Sequence, residues 1–116
     1  MTSQTDGDRS ETAICRYTVK PGNEHEMLKL LAKHWPTLHR AGLVTDDRPL
    51  IFRGTPKTGE DRDAVGSNVF VEIFAWRDAK AVGTAHHSPE VMSVWEPMGQ
   101  ICERMEFPHF QKVSLP

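Results

Sequence analysis

His34, Glu72, His86 and His109 are the side chains of this chain best suited to move a proton near neutral pH or to bind a metal. Glu72 lies in the run Val71-Glu72-Ile73-Phe74, where an ionised carboxylate must be paired or hydrogen-bonded, or its proton affinity must rise. Two readings stand side by side: an ion pair with Arg16, or an acid tuned by a pocket. His34 follows Leu31 by three residues and precedes Leu38 by four, which puts it on the apolar face of a helix. There it is either a hydrogen-bonded core histidine or a base at a pocket wall. His86 and His87 stand just before a helix start, and adjacent side chains diverge, so they do not chelate as an i, i+4 pair would. His87 is expected to be exposed. His109 alternates with Phe107 and Gln111 and faces either a pocket or the interior of the sheet. Tyr17 reads as a donor to a substrate oxygen or as a buried, satisfied phenol. The spacing of these groups supports no metal site. Cys15 and Cys102 lack an activating neighbour and read as small buried hydrophobes.

The elements that must position these groups follow from pattern. A strand over 12–19 ends at Lys20-Pro21-Gly22, a turn signal. Asn23 as N-cap with Glu26 three residues on suggests a capping box for a helix to about Ala41, closed by Gly42. Its stripe is Met27, Leu28, Leu31, Trp35 and Leu38. A second strand covers 49–53, an exposed hairpin-like loop 54–67, and a third strand 68–76. That third strand is apolar on both faces, which marks it as central. Asp78 is placed to cap a short helix over 79–85. Ser88-Pro89 opens another helix expected to reach about Met105, with a last strand over 107–115. The order β-α-β-β-α-β is the split-βαβ signature: α+β, ferredoxin-like, an antiparallel sheet with helices on one face. The other face then needs a cover, and a second copy of the chain is expected to supply it.

Residues 12–116 suffice for one domain, preceded by a polar stretch, residues 1–11, expected to be a disordered lead-in without a secretory signal. Fourteen Lys and Arg against 16 Asp and Glu, both signs scattered, leave no basic patch for nucleic acid. No apolar run reaches the roughly 18–20 residues that cross a bilayer. Two cysteines make no disulfide framework, and a reducing cytoplasm is the expected setting.

Three segments carry a resemblance: Arg16-Tyr17-Thr18-Val19-Lys20-Pro21-Gly22, Val71-Glu72-Ile73-Phe74-Ala75-Trp76, and Ala85-His86-His87-Ser88-Pro89-Glu90. A strand, "K-P-G" into a helix, "E-x-x-x-W" and "H-x-S-P" together resemble the antibiotic-biosynthesis-monooxygenase group over residues 12–115. The resemblance implies a homodimeric α+β barrel with a pocket between each sheet and its own helices. It implies a cofactor-independent oxygenase among other activities, and it makes His86, the group's recurring histidine, the leading catalytic candidate. In the heme-degrading relatives, the position of the iron-binding histidine corresponds to Trp95 and that of the pocket tryptophan to Ala85. Heme degradation is therefore disfavoured.

The expected enzyme needs no cofactor and acts on a small aromatic or hydrophobic molecule lined by Met27, Phe70, Phe74 and Trp76. His86 or His34 would take a proton, and Tyr17 or Arg16 would stabilise the enolate. Trp35, Trp95, Met92 and Met98 read as packing and pocket lining. The rival reading is a non-catalytic ligand-binding or stress-associated module; a duller one is a barrel filled by its own rings.

Overall fold

The computed structural model describes residues 10–54 and 68–116. The expected lead-in, but for its last two residues, and the expected loop beyond Gly54 lie outside these. The order of elements is β1 (Glu11–Val19), α1 (Glu24–Arg40), β2 (Leu50–Gly54), β3 (Val69–Trp76), α2 (Ala81–His86), α3 (Pro89–Ile101), β4 (Cys102–Glu106) and β5 (His109–Phe110).

Five antiparallel strands form one sheet in the order β2-β3-β1-β4, with β5 also on β1. The two apolar strands thus hold the centre, as the double-sided pattern of β3 requires. Alternation splits β1 cleanly: Ala13, Cys15, Tyr17 and Val19 are buried beneath the helices, while Arg16 is exposed on the opposite face. In β3 the buried set under the helices is Phe70, Glu72, Phe74 and Trp76. The register sets Cys15 opposite Glu72 and Tyr17 opposite Phe70, so both inward rows share one core.

Helix α1 buries Met27, Leu31, His34, Trp35 and Leu38, and α3 buries Val91, Val94 and Met98. The capping box is not formed. Asn23 has φ −106° and ψ 12°, which does not aim its side chain at the first turn; the Gly22 N–H instead donates to Glu24 Oε2 at 2.9 Å. Gly42, at φ 73°, ends the helical segment in the left-handed region as expected. Asp78 acts on α2 through the Lys80 N–H at 2.9 Å, and its hydrogen bond with Arg77 holds its carboxyl below the usual range. Ser88, in extended conformation, caps α3 by accepting from the Val91 N–H at 3.3 Å.

The C-terminal third departs from expectation. Helix α3 stops at Ile101, and residues 102–106, all but the last expected to be helical, are a strand on β1. Met98, Cys102 and Met105 keep a helical period, which hides the change of element in the sequence. The free edge of β1 decides it: Lys20 N–H donates to Ile101 O at 2.8 Å and Val19 pairs with Cys102, satisfying backbone that water would otherwise have to solvate. Of the expected last strand only His109–Phe110 pairs, and 111–116 take no regular structure.

Candidate functional site

A buried carboxylate lies at the centre of the sheet. Glu72 is fully buried, and one oxygen, Oε1, takes both of its hydrogen bonds: from the Tyr17 hydroxyl at 2.8 Å and with His34 Nδ1 at 2.7 Å. The other oxygen, Oε2, has no partner among the described residues. Arg16 is not the partner that the sequence suggested. It projects from the opposite face of β1, one residue out of phase with Cys15 and Tyr17.

The far side of the His34 ring fixes its proton. Trp95 Nε1, which can only donate, sits 2.8 Å from His34 Nε2. Nε2 therefore accepts, the ring proton is on Nδ1, and that proton is directed at Glu72. A neutral imidazole oriented by a carboxylate, its Nε2 lone pair turned away from the carboxylate, is the arrangement of a general base. Burial and hydrogen bonds, rather than sequence proximity, assemble it: the members are 38 and 61 residues apart.

This base lies on the wall of a cavity of about 510 Å³ between sheet and helices. That volume suits a small organic ligand, and it removes the reading of a barrel filled by its own rings. The sheet contributes Ala13, Cys15, Phe74 and Trp76, and the helices His34, His86, Met92 and Trp95. Glu96 and Gly99 of α3 complete that wall, and Met105, Phe107 and His109 close the C-terminal side. Trp76 is on the wall and its indole N–H has no partner among the described residues.

Of the residues singled out from sequence, His34, His86, His109, Phe74 and Trp76 meet on this cavity. Met27 and Phe70 do not line it; both are fully buried, Met27 on α1 and Phe70 on β3. Tyr17 is also fully buried, off the wall and committed to Glu72. His86 and His87 are exposed, and His86 rests its ring on the edge of Trp95 at 4.9 Å. His109 is held by Glu11 at 3.2 Å. The sequence reading placed Trp95 and Met92 as lining but missed the Trp95 bond to His34, which no spacing reports. Cys15 was missed as a wall residue, although strand alternation from Tyr17 signals it.

Burial, followed by the nearby charge of Glu72, pushes the Cys15 thiol up to about 12. The same two causes raise the Tyr17 phenol well above its ordinary value, and burial raises Cys102. Cys15 is thus a thiol and no nucleophile at neutral pH. Each of these groups binds its proton more tightly folded than unfolded, so stability is full below about pH 9 and falls as pH rises from there. The loss for Cys15 should approach roughly 1.4 kcal/mol per pH unit between about 9 and 12. Urea unfolding at pH 8, 9 and 10 checks this, and a flat profile would contradict it. Native protein at pH 8 should also leave Cys15 unlabelled by a thiol reagent that modifies both cysteines after unfolding.

Among the described residues no group of three or more His, Cys, Asp or Glu side chains is placed to hold a metal ion. Both ring nitrogens of His34 are already engaged. Nor is any described helix long and apolar enough to cross a membrane.

The architecture has clear counterparts among solved structures. SnoaB, a cofactor-independent oxygenase from Streptomyces nogalater, superposes with a TM-score of 0.69 at 21% identity, covering 91% of this chain and 95% of SnoaB. The fold is that of the antibiotic-biosynthesis-monooxygenase-like proteins. A candidate antibiotic biosynthesis monooxygenase from Bordetella bronchiseptica matches at TM-score 0.67 and 17% identity, over 90% of this chain and 98% of that one. Another from Nitrosomonas europaea gives TM-score 0.67 at 10% identity, covering 96% of each chain. No protein-family model and no curated sequence matches the chain. At these identities the monooxygenase-like likeness is one of fold.

Proposed function

We propose that this chain is a cofactor-independent, monooxygenase-like enzyme acting on a small aromatic or hydrophobic molecule. The observation that carries the reading is the buried Glu72–His34 pair, 2.7 Å apart, with His34 on the wall of an otherwise largely apolar cavity and Glu72 behind it. His34 Nε2 takes the acidic proton of an enolisable or phenolic substrate, and Glu72 stabilises the imidazolium that forms. The resulting carbanion supplies the electrons that reduce O₂. A C–O bond forms to give a peroxide anion, the His34 imidazolium returns its proton to the outer oxygen, and loss of water from the hydroperoxide leaves the oxidised carbonyl product. The apolar wall keeps water from the carbanion. SnoaB supports the reading as a cofactor-independent oxygenase on the same fold.

His34 has the orienting carboxylate that exposed His86 lacks, and His86 is the alternative base at the mouth. Oxygen uptake with a panel of enolisable aromatic compounds tests the reading. Uptake is expected with at least one, lowered about 10²–10⁴-fold in His34→Ala, the usual worth of a positioned base. If no compound is altered, the chain is a binding module and the oxygenase reading fails; if His34→Ala and His86→Ala both leave turnover unchanged, the base mechanism fails.

Two further parts of the proposal concern setting. Free, buried cysteines suit a reducing cytoplasm. The uncovered sheet face, where Leu50, Phe52 and Phe110 are exposed, suits a homodimer.

A further inference from the structure

The Trp95 indole closes off the one ring nitrogen of His34 that Glu72 leaves free. Its N–H caps the His34 lone pair, its ring meets His86 at 4.9 Å, and its other side meets Trp76 edge-on at 6.4 Å. While this bond holds, His34 cannot receive a proton, because the indole N–H cannot accept one. A ligand that uses the base must first part the two nitrogens. One turn along α3 from Trp95, Gly99 also lines the cavity, and a methyl group there would touch nothing within 4 Å.

We propose that Trp95 is the specificity-determining residue of this cavity, opening the His34 lone pair only to a ligand that inserts one hydroxyl between Trp95 Nε1 and His34 Nε2. The proposal rests on the function proposed above and narrows its substrate class to phenols and enols. A hydroxyl oxygen accepts from the indole and donates to the imidazole, so one bond is exchanged for two. At ordinary hydrogen-bond lengths the nitrogens would separate from 2.8 Å to roughly 4.6 Å. An ether or ketone oxygen can accept from Trp95 but leaves His34 Nε2 buried and unpaired. The hydroxyl that is inserted is then the group whose proton the base removes, so recognition and activation use one atom.

Calorimetric titration of the full chain with 1-naphthol and with 1-methoxynaphthalene tests this, since the pair differ in the O–H. Naphthol is expected to bind roughly five- to a hundredfold tighter, the usual range for stranding a buried acceptor. In ¹⁵N-labelled protein, naphthol should move the Trp95 indole N–H and the His34 Nε2 resonances together. The indole signal is assigned by its loss in Trp95→Phe, or from its contacts to His86 and Trp76 if that variant does not fold. Equal affinity for the two probes, or naphthol binding that leaves both resonances in place, overturns hydroxyl insertion while the aromatic cavity stands. Failure of both probes to bind overturns the insertion and the aromatic-substrate reading together.

Discussion

Glu72→Gln is expected to lower turnover of an enolisable aromatic substrate by roughly 10²–10⁴-fold without loss of the fold. The amide is nearly isosteric with the carboxylate and has two ways to sit. With its oxygen in the place of Oε1 it still accepts from Tyr17 and His34, now 2.8 and 2.7 Å from Glu72. A neutral amide, however, does little for the imidazolium that forms when Nε2 takes a proton, so the base is weakened. With its NH₂ in that place, the amide donates to Nδ1 and forces the ring proton onto Nε2. That proton meets the Trp95 N–H, and the lone pair that does the chemistry is gone. Either seating disables the base, and the first also leaves two amide hydrogens where Oε2 now lies unpartnered. Steady-state oxygen uptake, with circular dichroism to confirm the fold, reads the result. Turnover within about twofold of the parent would move the base away from His34, with His86 the next candidate. Tyr17→Phe provides the contrast: it keeps the Glu72–His34 bond, so it should cost stability before it costs turnover.

The sequence carried the architecture through patterns that depend on neighbours in the chain. Strand β3 carries apolar residues on both of its faces, and that pattern is local enough to read. Gly42 and Ser88 announce helix boundaries because the backbone conformation and the cap are properties of one or two residues. What escaped notice depends on partners far along the chain. The 98–105 segment keeps a helical period, yet the unpaired edge of β1 claims 102–106 as a strand. Both α1 and α3 run through an internal proline, Pro36 and Pro97, because buried apolar faces outweigh the local penalty. The site shows the same division. That Glu72 needed a partner was plain from its apolar neighbours. Which partner it found was not, because the choice between Arg16 and Tyr17 turns on the phase of β1 relative to β3. His34 and Trp95 meet across 61 residues only because α1 and α3 lie over one sheet.

The second large effect is expected in assembly. Size-exclusion chromatography with light scattering should give about twice the 13.1 kDa of one chain, and Phe52→Asp combined with Ile73→Asp should return it to one. The cause is the sheet face turned away from the helices. The register places Leu50 opposite Ile73 and Phe52 opposite Val71 there, with Ile14 opposite Ile73 and Phe110 opposite Thr12. Leu50 is 58% exposed, Phe52 55% and Phe110 47%, so the row is both apolar and wet. A monomer seldom leaves so continuous an apolar stripe uncovered, and a stable interface needs upward of roughly 1,000 Å² in total. A two-fold axis meets that need with one surface, since the same stripe faces itself. Two carboxylates placed on each copy would lie buried and unpaired against two more, which costs far more than the lost apolar area. Neither substituted residue lies on the cavity wall. The variant should therefore keep its circular dichroism and its naphthol affinity unless the partner helps to close the site. A parent that runs as a monomer at micromolar concentration would show that this face is solvated, and a double variant that remains dimeric would place the interface elsewhere.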